Sequence, residues 1–158
     1  LQGDDGGLYD LLAAHVTQSG LTLEVKALDG ENGHYSKLEK AIRIEASLPS
    51  RLQAFKTLAH EVAHWKLHSD EAGTDLSRTT KETEAEAAAF LVLAHFGLKA
   101  DEYSFAYVAD WTRGDIQILE KSLSRIKRGA DAIIKEIESR LPQTVESLTV
   151  ADIEAAVA

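Results

Sequence analysis

Cysteine is absent from the 158 residues, which excludes disulfides, thiol nucleophiles and thiolate-ligated zinc. A chain without cysteine fits a reducing compartment, so a cytoplasmic setting is expected. Proline occurs twice, as Pro49 and Pro142, and both fall where elements should meet. No apolar run approaches the roughly 20 residues of a membrane span, so no membrane partner is expected. Basic charge is scarce: 17 Lys+Arg stand against 26 Asp+Glu, a net charge of −9. An acidic surface repels phosphate backbones, so this segment is not expected to bind nucleic acid itself. Leu1-Gln2-Gly3-Asp4-Asp5 has neither a basic patch nor an apolar stretch and is not read as a signal peptide. The missing initiator Met reads as a sign of a trimmed chain or of part of a longer protein.

What is there suffices for one core. Hydrophobic residues make up 44% and charged residues 27%, so residues 1–158 read as a single domain. Residues 1–7, rich in Gly and Asp, read as a flexible lead-in. Leu8, Leu11, Leu12 and Val16 recur at helical spacing, and Gly20 ends that helix. Leu21 to Leu28 alternates like a strand. Asp29-Gly30 and Asn32-Gly33 are turn signals, which predicts a hairpin with Ala41 to Ala46 as the return strand.

Beyond Pro49 the pattern is helical. One long helix is expected from Arg51 to His68, and a second from a cap at Thr79 or Thr80 to Phe96. A shorter helix is expected over 101–111. Another, with an apolar stripe from Ile116 to Ile137, should run to Leu141 before Pro142. Residues 142–158 should hold a short helix, Val150 to Val157, or a tail. The layout is α+β: mostly helix, with a small N-terminal sheet beside the long helix.

That long helix contains His60-Glu61-Val62-Ala63-His64, an HExxH pattern. Residues four apart share a helix face, so both imidazoles can reach one Zn²⁺ at roughly 2.0–2.1 Å. Glu61 lies beside the remaining coordination position, where it can take a proton from an attacking water and pass it on. With six histidines in the chain, a chance pairing at this spacing inside a helix is rare.

A zinc site without cysteine needs a third nitrogen or oxygen ligand. At 100° per residue, Glu82, Glu86, Ala89, Phe90 and Leu93 fall on one side of the next helix, and Glu84 and His95 on the other. Carboxylates in a core-facing stripe need partners, and a metal is a good one. Ala85, Ala87, Ala88 and Ala89 let two helices approach closely. Glu82 is preferred over Glu86 as the third ligand, and both remain open on spacing alone.

The stretch His60-Glu61-Val62-Ala63-His64-Trp65-Lys66-Leu67-His68, followed by Glu82-Thr83-Glu84-Ala85-Glu86, resembles the ImmA/IrrE family of zinc metallopeptidases. It is similar above all to the metallopeptidase domains of ArdC-like antirestriction and polyvalent proteins of plasmids and phages. Lys56-Thr57-Leu58-Ala59 before the motif and Tyr103 to Trp111 after it are also similar, so the resemblance runs from about Leu8 to Leu141. It implies a zincin-like, gluzincin-type fold holding one Zn²⁺. It also implies that His60, His64 and Glu82 are the ligands and Glu61 the general base. Glu86 would hydrogen-bond the first ligand His, where the ImmA/IrrE branch usually has Asn or Asp. ArdC-like proteins also carry an N-terminal domain that binds single-stranded DNA. No such domain lies in these residues, and a fused one elsewhere would fit the acidic charge here.

The remaining candidates are weaker. Continuing the helix lifts His68 about 6 Å along the axis from His64, too far to share a metal, so it reads as a C-terminal cation or a groove-lining residue. Tyr35, Tyr103 and Tyr107 each carry a hydroxyl able to steady an oxyanion; Tyr107, which follows the Glu82 helix, is preferred. The expected function is hydrolysis of peptide bonds in a protein or peptide substrate, which would pair with a sheet edge, taken as Ala41 to Ala46. The alternative is a zinc-binding interaction module whose biological activity is not proteolysis.

Overall fold

The computed structural model describes residues 1–70, 75–98, 116–142 and 150–157. Helix α1 (Leu8–Gln18) follows Asp5, whose buried carboxylate accepts from the backbone N–H of Tyr9 at 2.7 Å. Residues 1–7, expected as a flexible lead-in, are tied to the start of the second helix, described below. Leu52 N–H donates to the Gly3 carbonyl, and Ser50 Oγ donates to the Leu1 carbonyl.

Three strands follow: β1 (Thr22–Lys26), β2 (Gly33–Ser36) and β3 (Ala41–Glu45). Their order is β1-β3-β2. The predicted hairpin is therefore displaced. β1 and β3 run parallel, with Leu23 opposite Ile42 and Val25 opposite Ile44. The antiparallel partner of β3 is β2, with Gly33 opposite Ile44 and Tyr35 opposite Ile42. The Asp29 to Gly33 turn signals carry the chain from one sheet edge to the other, and the tight turn lies at Lys37 to Lys40. Lys40 adopts a positive φ of 49° there. The physical reason is burial. Ala41, Ile42 and Ile44 are all buried, so β3 takes the centre and leaves the half-exposed β1 and β2 as edges.

Helix α2 (Arg51–His68) has the predicted bounds, with Ser50 as its cap accepting from Gln53 N–H at 3.0 Å. Helix α3 (Arg78–His95) is capped by Ser77 rather than by Thr79 or Thr80. Helices α4 (Ile116–Glu138) and α5 (Val150–Val157) complete the described chain. The core joins Phe55, Leu58 and Val62 of α2 to Ala85, Ala88 and Val92 of α3 and to Ile126, Ile133 and Ile137 of α4. The alanines of α3 give the close approach to α2 that small side chains allow. Gly129 does the same for α4, since a Cβ there would stand 2.8 Å from Leu67 Cδ1. Among the described residues no helix is long and apolar enough to cross a membrane. The expected helix over 101–111, with Tyr103, Tyr107 and Trp111, lies outside the described residues.

Candidate metal centre

Unbroken helical geometry stacks His60, His64 and His68 along one face of α2. His60 Nε2 and His64 Nε2 stand 3.1 Å apart. Helix α3 brings the Glu82 carboxylate across from them, with Oε2 3.2 Å from His60 Nε2 and Oε1 3.3 Å from His64 Nε2. A tetrahedral ion with bonds of roughly 2.0–2.1 Å places its ligand atoms about 3.3–3.4 Å apart. The three observed separations are close to that edge length, the two to Glu82 ending on different oxygens of its carboxylate. Ligand atoms of these three residues also lie within 4.8 Å of one another. The donor set, two imidazole nitrogens and a carboxylate oxygen, suits a divalent cation.

The electrostatics follow from this crowding. Burial works against a charged His60, but the carboxylates of Glu82 and Glu86, joined by Glu61, outweigh it and carry its pKa up to about 9. Hydrogen bonds from His60 and His64 hold the Glu82 carboxyl well below the usual carboxylate range. Glu86 lies one turn beyond Glu82. Its Oε2 accepts from His60 Nδ1–H at 2.9 Å and its Oε1 pairs with Lys56 Nζ at 2.7 Å. Those two bonds lower the Glu86 pKa against the opposing effect of burial. With Nδ1 committed to Glu86, His60 presents Nε2 to the cluster.

Glu61 is buried beside this cluster, and burial pushes its carboxyl up to about 7, with His60 opposing and Glu82 adding to the shift. Its side chain packs against Gly33 of β2, where a Cβ would stand 3.0 Å from both Cγ and Oε1 of Glu61. Sequence reading takes Gly33 as a turn glycine from the Asn-Gly dipeptide. Its φ is not positive, so what it supplies is room. A cleft of about 800 Å³ opens over His60, His64, Glu61 and Glu82, with Tyr35 and Gly33 of β2 on its wall. Burial raises the Tyr35 pKa. The preferred Tyr107 lies outside the described residues, so Tyr35 is the described tyrosine at the cleft. The sheet edge facing the cleft is also β2. Ala41 to Glu45 is the central strand, bonded on both sides, and its backbone has no free edge for a substrate.

One part of the cluster is invisible to the helical wheel. Glu84, expected on the side opposite Glu82, is fully buried. Its Oε2 accepts from His68 Nε2–H at 2.9 Å, and its Oε1 accepts from Ser122 Oγ at 2.9 Å and Arg125 Nε at 2.8 Å. His68 Nδ1 in turn stands 2.9 Å from His64 Nδ1. His68 is therefore buried at a junction of three helices and borders the cleft, as a groove-lining residue would. The wheel misses this because α3 packs on α2 and α4 at once, so its two sides are both interior. The sequence signal was the third histidine at the same four-residue spacing.

Comparison with known proteins places these residues in context. Residues 14–112 match the family model of the IrrE N-terminal-like domain, Peptidase_M78. The uncharacterised protein pXO2-81 of Bacillus anthracis is 29% identical over 124 residues, covering 75% of this chain and 21% of that protein. Among solved structures, the Mn(II)-bound antirestriction protein ArdC from plasmid R388 superposes with a TM-score of 0.61 at 23% identity, over 88% of this chain and 55% of that one. Its metal-free form gives 0.63 at 22%, over 89% and 53%. The chain thus spans about a fifth of the curated relative and about half of the ArdC chains, and the ArdC likeness is one of fold.

Proposed function

The chain belongs to the IrrE N-terminal-like domain family, and from that premise we propose that it is a zinc-dependent metallopeptidase domain acting on an extended protein segment. The observation that carries this reading is the convergence of His60 Nε2, His64 Nε2 and the Glu82 carboxylate to within reach of a single cation beside a buried carboxyl raised to about 7. His60, His64 and Glu82 would hold the cation, and the cleft above them leaves access for water and a peptide carbonyl. When bound, the cation supplies Lewis acidity that acidifies water and polarises the carbonyl. Glu61 takes the proton released by the attacking water and delivers it to the departing amine. A carboxyl pKa near the working pH suits both halves of that transfer. Glu86 holds His60 in the tautomer that points Nε2 inward. The free edge of β2 offers backbone groups to an extended substrate, and Tyr35 on the same strand brings a phenolic hydroxyl to the cleft wall for an oxyanion.

The test is Glu61→Gln. It should retain one divalent ion per chain and lose cleavage of a denatured protein substrate by three orders of magnitude or more, on the order of the loss of an essential base. Cleavage at the wild-type rate in that variant removes Glu61 as base. A second reading draws on the fold likeness to a protein titled antirestriction: a metal-stabilised domain that works by binding a partner. In that case the same variant keeps full biological effect although it cuts nothing.

A further inference from the structure

We infer that His68, Glu84 and Arg125 form a positioning relay that fixes the tautomer of His64 and so ties metal affinity at the α2–α3 cleft to helix α4. The inference rests on the reading of His64 as a ligand through Nε2. A ligating imidazole must keep its other ring nitrogen protonated and give that proton to an acceptor. For His60 the acceptor is Glu86. For His64 no carboxylate among the described residues occupies that place, and the group 2.9 Å from Nδ1 is the Nδ1 of another imidazole.

An imidazole can accept there only if its own proton lies on the far nitrogen. The structure supplies the reason that it does. His68 Nε2 stands 2.9 Å from Glu84 Oε2, and a fully buried carboxylate needs a donor at that oxygen. Its other oxygen is taken by Ser122 Oγ and by the guanidinium of Arg125. Arg125 is always charged and always a donor, so it sets the direction of the chain. Arg125 donates to Glu84, Glu84 accepts from His68 Nε2–H, and His68 accepts at Nδ1 from His64 Nδ1–H. His64 Nε2 is left with its lone pair toward His60 Nε2 and Glu82. His68 borders the cleft, but its two ring nitrogens face His64 and Glu84, so these residues position and do not catalyse.

The two ring nitrogens of His68 can be replaced one at a time. Asn places its carbonyl oxygen near Nδ1 and can accept from His64, but it falls short of Glu84. Gln reaches Glu84 as a donor but offers His64 nothing at the Nδ1 position. Leu fills the space and does neither. Zn²⁺ affinity is measured by competition with a chromophoric chelator on the full chain, alongside ¹⁵N imidazole shifts that report the His64 tautomer. His68→Leu and His68→Gln should weaken Zn²⁺ binding roughly 10–100-fold and mix the His64 tautomers. His68→Asn should stay within a few-fold of wild type with the Nδ1–H tautomer kept. Thermal melting of each metal-free variant identifies any that fail to fold, and Ser122→Ala, which removes one donor to Glu84, is the milder probe on α4, expected to weaken Zn²⁺ a few-fold. Equal affinity across wild type, Leu, Gln and Asn overturns the relay while leaving the metal site standing. A wild-type chain that takes up no Zn²⁺ overturns the metal site and the relay with it. Zn²⁺ bound with the expected ranking but no peptide cleavage sinks the peptidase reading alone.

Discussion

The Glu61 side chain rests against the bare Cα of Gly33: a Cβ there would meet Glu61 Cγ and Oε1 at 3.0 Å and Thr57 Cγ2 at 2.7 Å. Both distances are shorter than carbon atoms tolerate without movement. Because Gly33 sits in β2, bonded in register to Ile44, the strand cannot simply back away. Gly33→Ala should therefore push Glu61 out of place and reduce peptide hydrolysis roughly 100-fold, the scale of an ångström-sized displacement of a catalytic group. Zn²⁺ affinity should change little, since none of the three proposed ligands touches that Cβ. Adding Thr57→Ser removes the tighter obstacle and should recover part of the rate. Steady-state kinetics with metal content measured on the same samples decides it.

Proton release on metal uptake is a second expectation. In the metal-free chain His60 is raised to about 9, so at neutral pH it carries a proton that a cation must displace. Affinity should rise about tenfold per pH unit between roughly pH 7 and 9 and level off above that. The sign is fixed by the raised value, because the proton is bound more tightly than at an ordinary histidine and competes to a higher pH. Calorimetry in two buffers of different ionisation enthalpy should give close to one proton released at pH 7.5. A heat independent of buffer contradicts the expectation.

Glu61 should lower the stability of the metal-free fold. Its pKa is raised from 4.5 to about 7, so the folded state binds that proton more tightly than the unfolded chain does. Its contribution is at its most favourable below pH 4.5 and is lost as pH rises through 7. Glu61→Gln removes the ionisation, so the variant should gain on wild type across that window. The gain should reach on the order of 2–3 kcal/mol at pH 8 and be near zero at pH 4. Urea unfolding of both proteins with chelator present, at the two pH values, measures it.

Much of this architecture is legible in the chain because it is local. The break around Pro49 and the apolar spacing of Leu52, Phe55, Leu58 and Val62 mark out α2. A four-residue step brings His60 and His64 together wherever that helix goes. A 100° step likewise puts Glu82 and Glu86 on the side of α3 that meets α2. What the sequence leaves hidden is pairing at a distance. Asp29-Gly30 and Asn32-Gly33 are real turn signals, but a turn does not say which strands it joins, and β1 lies parallel to β3 with β2 beyond. Glu84 is hidden for a related reason. Opposite faces of a helix read as inside and outside only when one neighbour covers it, and α3 has two.

The contact between Gly129 and Leu67 offers a test of that three-helix packing through the sign of an effect. Gly129 lies inside α4, where Ala is favoured over Gly by about 1 kcal/mol on propensity. A Cβ there, however, would stand 2.8 Å from Leu67 Cδ1 and 3.0 Å from Cγ. Cγ is anchored close to the α2 backbone and Leu67 is fully buried, so the crowding, at roughly 1–3 kcal/mol, should outweigh the propensity gain. Gly129→Ala is expected to destabilise by about 1 kcal/mol. Leu67→Ala alone should cost about 2–5 kcal/mol through the cavity it leaves. In that background the obstacle is gone and the new methyl fills part of the void, so Gly129→Ala should become stabilising. A double-mutant cycle by denaturant unfolding reads the reversal directly. If Gly129→Ala has the same sign in both backgrounds, α2 and α4 are not in the contact described.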